Sequence, residues 1–282
     1  MNLNLGIRGH DFDRTETAEM LAEKLKQADL HSIQLALPIS FPRESFEARN
    51  MNPGMAKFYK NIFAKEDIDI AILSCYINMI HPDSVEREKL LTKFSSYLRY
   101  AREFGASMVA TETGNVDAEI HYTSKNFTES AFQKVVESVK FLSSKAEKFG
   151  MIIGIEGGIN HPICSPEKMR RLLDEVNSPN VQVILDPTNF IDASSYKRQN
   201  EFIKQSFSLF GEDIAAIHLK DFIVENGTLK IVSIGKGIMD FRYLLESVKK
   251  EKPYLNLIME ETKEKDIELS IEYLTDIAKQ ID

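Results

Sequence analysis

The sequence predicts an α/β protein of one domain over residues 1–282, a single (β/α)8 TIM barrel with a small hairpin inserted after the seventh strand. Three observations carry this. Short runs rich in Ile, Val and Leu, bounded by Gly, Pro, Asn or Asp, alternate from end to end with amphipathic stretches of period near 3.6. Such alternation implies parallel strands joined by right-handed crossovers, and seven or eight such units fit a chain of 282 residues. The competing open sheet would carry G-x-G-x-x-G after its first strand, and GIRGHD does not supply it.

Strands are expected over 3–8 (LNLGIR), 32–38 (SIQLALP), 68–77 (IDIAILSCYI) and 107–113 (SMVATET). Four more follow at 151–157 (MIIGIEG), 181–186 (VQVILD), 214–220 (IAAIHLK) and 255–261 (LNLIMEE). Helices fill the intervals. In AFQKVVESVKFLSSKAEKFG, the residues Phe132, Val135, Val136, Val139 and Leu142 form one apolar stripe, and Gly150 marks the stop. SPEKMRRLLDEV opens with Ser165 as N-cap and Pro166 in the first turn, and IELSIEYLTDIAKQI closes the chain. One segment breaks the rhythm. FIVENGTLKIVSIGKG (222–237) reads as a hairpin turning at ENGT, inserted into a loop on the C-terminal face of the barrel, where barrel enzymes do chemistry.

Composition narrows the function. At 43% hydrophobic and 28% charged the chain is an ordinary globular protein, and a net charge of −8 argues against a nucleic-acid partner. Cys75 and Cys164 are too few for a disulfide framework and are expected as free thiols. No run approaches 18 apolar residues, and the N-terminus lacks the pattern of a signal peptide, so no membrane partner and a cytoplasmic location are expected.

The last four strands share a grammar: IIGIE156, VQVILD186, AAIH218 and NLIME260 each run apolar and then present one metal-ligand type. The spacings from Glu156 to Asp186, to His218 and to Glu260 are 30, 32 and 42 residues, one βα unit each, the last lengthened by the hairpin. Inward side chains at the rims of adjacent strands, ~4.8 Å apart, can converge on one point. Three carboxylates and an imidazole gathered there would repel and be poorly solvated without a cation among them. The expected metal set is therefore Glu156, Asp186, His218 and Glu260.

With these residues in hand, the chain resembles the xylose isomerase-like barrel superfamily, the group of sugar phosphate isomerases/epimerases and family 2 AP endonucleases. The carriers are I-E156-G-G, L-D186-P-T-N, I-H218-L-K-D, G235-K-G-I-M-D240-F and I-M-E260-E, in that order and spacing. In members resembling ketose 3-epimerases the matching Glu, Asp, His and Glu hold one divalent metal, and the two glutamates serve as acid and base. That carries over onto Glu156 and Glu260 as catalytic residues, with Glu261 as an alternative for the fourth ligand. Such a site moves a proton next to a ketone while a cation stabilises the enediolate. Mn2+, Mg2+ or Co2+ suits the oxygen-rich set, and Zn2+ also fits. The family often has His three residues after the strand-six Asp; here it is Asn189, which argues against the DNA-repair branch.

The reading is thus a metal-dependent isomerase or epimerase of a small sugar or sugar phosphate. The alternatives are a dehydratase of a keto-polyol, resembling inosose dehydratases, and a carbohydrate-binding barrel without turnover. Substrate contacts are expected from Glu112, Asn189, Lys220 and His10, with Asn78 and His81 also facing the mouth; His81 and His121 follow strands three and four, roughly where the DNA-repair branch would want two of its extra histidines. Arg8, Lys220, Lys236 and Lys263 are the candidates for a phosphate group. Asp240 either closes the site or caps the helix after it. A homo-oligomer stays open.

Overall fold

In a computed structural model, which describes residues 3–13 and 15–281, parallel strands close on themselves as the periodicity requires. The chain runs β1 (Asn4–Arg8), α1 (Ala18–Gln27), β2 (Ser32–Leu35), α2 (Leu37–Ser40), α3 (Pro53–Lys65), β3 (Asp69–Ser74) and α4 (Ser84–Phe104). It continues through β4 (Met108–Glu112), α5 (Glu129–Phe149), β5 (Ile152–Glu156), α6 (Pro166–Val176), β6 (Val181–Leu185), α7 (Gln199–Phe210) and β7 (Ile214–Leu219). A hairpin of β8 (Asp221–Glu225) and β9 (Thr228–Val232) precedes α8 (Phe241–Glu251), β10 (Asn256–Met259) and α9 (Ile267–Gln280). The barrel is β1 to β7 in order, then β10 pairing back onto β1.

Helix starts follow capping chemistry. The side chains of Thr17, Asn52, Asp83, Thr128, Ser165 and Asp240 accept backbone N–H bonds at the starts of α1, α3, α4, α5, α6 and α8. Two strands stop short of expectation. β2 ends at Leu35 because Pro38, without an N–H, cannot extend the ladder and instead sits in the first turn of α2. β3 ends at Ser74; beyond it Cys75 N–H still reaches the β4 backbone at Ala110 O (2.9 Å), and Ile77 N–H finds a side chain there, Thr111 Oγ1 (3.3 Å). Cys75 is buried and Cys164 half-buried, and both are free thiols.

The predicted hairpin is present, beginning one residue earlier than the sequence suggests. Its antiparallel register pairs Phe222 with Ile231 and Val224 with Leu229. Asn226 and Gly227 both have positive φ (50° and 74°), as a two-residue type I′ turn requires. The chain leaving β9 is tied back by Asp221, buried and bonded to four backbone N–H groups. These are Phe222 and Met239 on Oδ1 (2.8 and 3.0 Å), and Gly235 and Gly237 on Oδ2 (2.9 and 2.8 Å). A Cβ on Gly237 would lie 2.2 Å from Asp221 Oδ1, which accounts for glycine there.

Between strands and helices lies the main core, continuous from Ile7 to Ile277. A separate cluster of Ile72, Met108, Ala110, Ile184, Ala216 and Ile258 fills the barrel itself. Among the described residues, no helix is long and apolar enough to cross a membrane.

Candidate metal centre

Side chains alternate across a strand, so residues two apart share a face. Ile184, Ala216 and Ile258, in the barrel's filling, are each two residues before Asp186, His218 and Glu260, and Gly154 is two before Glu156. The ladder aligns Glu156 with Ile184, Ile184 with Ala216, and His218 with Ile258. The four polar residues are thus the next inward layer, toward the C-terminal rim. One ligand atom from each lies within 4.8 Å of the others, and all four residues are buried, none more than 5% exposed.

Each is oriented by a neighbour. Asp186 Oδ1 accepts from Thr188 N and Asn189 N (2.8 and 3.1 Å). Glu156 Oε1 accepts from Asn189 Nδ2 at 2.7 Å. Glu260 Oε1 takes the Arg8 guanidinium at 2.5 Å, and Arg8 also reaches Asp11 (2.6 Å) and Glu261 (3.2 Å). Lys220 Nζ stands 2.9 Å from Asp186 Oδ2 and 2.7 Å from Glu260 Oε2, and donates to Asn189 Oδ1 at 3.2 Å. His218 Nε2 is 2.7 Å from Gln34 Oε1, an acceptor only, so Nε2 carries a proton and Nδ1 is the nitrogen left to face the cluster. That Nδ1 faces Glu156 Oε1 at 3.3 Å and Glu260 Oε2 at 3.6 Å.

The electrostatics follow from this crowding. Burial pulls the His218 imidazole down, but Glu156 and Glu260 more than offset it and raise its pKa to about 9. Burial would raise Glu260; His218, Lys220 and Arg8 instead hold it well below the carboxylate range. Burial raises Asp186, with Lys220 opposing. Lys220 is held charged: burial alone would lower it, and Asp186 and Glu260 outweigh that. Glu112, in register with Glu156, is raised by burial and by that neighbour's charge.

The residues fit a cation. His218 Nδ1 is buried and lacks a hydrogen-bond partner, and Asp186 Oδ2 and Glu260 Oε2, which meet the Lys220 ammonium, belong to the same ligand cluster. Oxygen donors with one imidazole nitrogen are the donor set of a hard or borderline divalent ion. Glu261, the alternative fourth ligand, is half-exposed and turned to Arg8, outside the cluster.

Of the expected contacts, Glu112, Asn189 and Lys220 line one cleft of about 650 Å3 with Glu260. His10 packs edge-on against Tyr76, with ring centroids 6.4 Å apart, and burial with Arg8 nearby lowers it to about 4; it does not line that cleft. Asn78 is a staple, accepting from Ile80 N and Asn115 N and donating to Asp117 O. His81 lies by the cap of α4, and His121 pairs with Asp117 at the surface. Asp240 caps α8 at Tyr243 N (3.0 Å). Arg8 and Lys236 are committed to carboxylates, Lys236 to Asp266 at 2.6 Å.

Three residues of the site escaped the sequence reading. Gln34 orients His218, Tyr76 receives a hydrogen bond from Gln34 Nε2 (3.1 Å), and His161 lines the cleft 3.9 Å from Glu112. A polar Gln inside SIQLAL was the one usable signal.

A family model described as the xylose isomerase-like TIM barrel matches residues 19–277. By sequence, no curated protein matches this chain. Among solved structures, the xylose isomerase domain protein from Planctomyces limnophilus superimposes with a TM-score of 0.75 at 16% identity, covering 99% of this chain and 98% of that one. The IOLI protein with a binding zinc atom gives 0.75 at 18%, covering 99% of each chain. A D-tagatose 3-epimerase-like protein gives 0.75 at 17%, covering 98% of this chain and 97% of its own. With the matched model spanning seven of the eight barrel strands and all four clustered residues, the chain belongs to the xylose isomerase-like TIM barrel superfamily of enzymes.

Proposed function

We propose that the protein is a divalent-metal-dependent isomerase or epimerase of a small carbohydrate, working by proton transfer next to a carbonyl. The observation that carries this is a pair of buried glutamates, Glu156 and Glu260, both facing the unpartnered Nδ1 of His218. The similarity to a D-tagatose 3-epimerase-like protein and to a zinc-binding barrel supports it. Glu156, Asp186, His218 and Glu260 would hold the ion, which supplies Lewis-acid stabilisation of charge developing on substrate oxygens.

The protein's own groups divide the remaining work. Glu156, held in place by Asn189, is the carboxylate that takes a proton from carbon. Glu260, steadied by Arg8 and Lys220, is the second carboxylate that exchanges the proton, and Lys220 beside it stabilises negative charge on the substrate. Asn189 and Glu112 are placed to bind hydroxyls in the cleft.

The test is solvent-deuterium incorporation into a panel of ketoses by protein stripped with a chelator and then reloaded with Mn2+. Exchange should appear only on reloading, without loss of water from the sugar, and Glu156→Gln should lose exchange at least 1,000-fold together with metal affinity. Full activity and metal content in that variant would refute the assignment. Loss of water would make the enzyme a dehydratase.

A further inference from the structure

The cleft at the four-residue cluster is lined by the polar groups described above and by four aliphatic side chains: Leu229 and Ile231, two apart on one face of β9, with Ile159 and Ile191 from the loops after β5 and β6. The cleft of about 650 Å3 has the volume of roughly twenty waters at ~30 Å3 each. A free ketohexose has about twelve non-hydrogen atoms, each taking no more room than a water. Seated at the cluster, it would leave the space under the hairpin unfilled, against aliphatic side chains that gain nothing from hydroxyls.

Charge supplies a second, independent observation. Among the described residues, Arg8 and Lys220 are the only Lys or Arg lining the cleft, and both are spent on carboxylates at 2.5–3.2 Å. His161 is drawn to Glu112. Glu112, Asp192, Glu260 and Glu261 line the same space. A phosphate dianion entering it would meet carboxylates and no uncommitted guanidinium or ammonium.

We propose that the cleft takes a neutral keto-sugar carrying an apolar substituent, that is, a glycoside, in preference to a free or phosphorylated monosaccharide. The sugar lies at the cluster and the aglycone against Leu229 and Ile231. This deepens the isomerase/epimerase reading and rests on it for the chemistry, while the binding preference is measured separately.

Calorimetry on Mn2+-loaded protein would compare phenyl β-D-glucopyranoside, D-glucose and D-glucose 6-phosphate. The glucoside should bind at least about tenfold tighter than glucose, from burial of its ring, and the phosphate weakest of the three. The double variant Leu229→Ser, Ile231→Ser should bring glucoside and glucose within about twofold of each other. Equal binding of glucoside and glucose, tightest binding of the phosphate, or a glucoside preference that survives the double variant would overturn the proposal. The first two comparisons use the parent protein, so a variant that fails to fold leaves them standing. Deuterium exchange into the 3-keto form of the glucoside separates the two readings. Tight binding without exchange removes the isomerase and keeps the glycoside site, and exchange into fructose 6-phosphate alone does the reverse.

Discussion

Gln34→Leu probes the centre from outside the ligand set. Gln34 is 1% exposed, and its Oε1 is the sole acceptor facing His218 Nε2, at 2.7 Å. Leucine has nearly the same volume, so no cavity term enters. Besides the bond from Gln34 Nε2 to Tyr76, what is lost is a hydrogen bond whose donor, on a fully buried ring, then has nowhere to turn, at a cost of ~1–3 kcal/mol. In a chain of this size that lowers Tm by roughly 2–8 °C. The same bond fixes the tautomer that exposes Nδ1, and outer-shell partners of a ligating His are typically worth ~10–100-fold in metal affinity. That factor converts to ~1.4–2.7 kcal/mol, the same range reached from the buried donor. Titration of the stripped protein with Mn2+ reads the affinity, and long-range 15N–1H correlation spectra of the imidazole read the tautomer. Gln34→Glu, which keeps an acceptor, should retain most of the affinity. If Gln34→Leu binds Mn2+ within twofold of the parent and His218 keeps its proton on Nε2, the orienting role is refuted.

Two further perturbations separate chemistry from architecture. Asn189→Ala removes the 2.7 Å bond to Glu156 and the 3.2 Å acceptor for Lys220; deuterium-exchange kinetics should show a ~10–100-fold loss in kcat/KM with metal content unchanged by elemental analysis. Asp221→Ala leaves three backbone N–H groups of the returning chain, and that of Phe222 in β8, without their acceptor. With partial relaxation of that chain, stability should fall by ~3–5 kcal/mol in urea unfolding, and a change under ~1 kcal/mol would show that Asp221 does not secure the hairpin.

How much of this was legible depends on what each residue shows its neighbours in sequence. The eight barrel strands read correctly because buried parallel strands are near-continuous apolar runs with turn residues at their ends. Glu156, Asp186, His218 and Glu260 stood out because a charge at the end of such a run is costly and asks for a reason. Gln34 sits in the same kind of run, but a neutral amide raises no such question, and its partner lies 184 residues away. Tyr76 fell inside the overrun of the third strand, whose end is set by contact with β4 rather than by its own composition. His161 lies in a loop without periodicity, so nothing local says that it reaches back to Glu112. Asp240 was legible only as a choice, which the cap on Tyr243 N decides.

The crowding of charge at Glu156 also explains the cations near it. Three carboxylates in one buried layer cannot all be ionised without compensation. Arg8, from the strand that follows β10 around the barrel, and Lys220, from the end of β7, answer two of the charges from the rim. The ion pairs of both are with Asp11, Asp186, Glu260 and Glu261, whereas Glu156 faces His218 Nδ1. Negative potential there must be met by a positive charge, and the imidazole meets it with a proton when it has nothing else, which is why the carboxylates raise its pKa. A divalent ion would meet the same need with more charge and would leave Nδ1 its lone pair to bind with. Gln34 accepts the Nε2 proton in either arrangement, and so keeps Nδ1 as the nitrogen that faces the other three residues of the cluster.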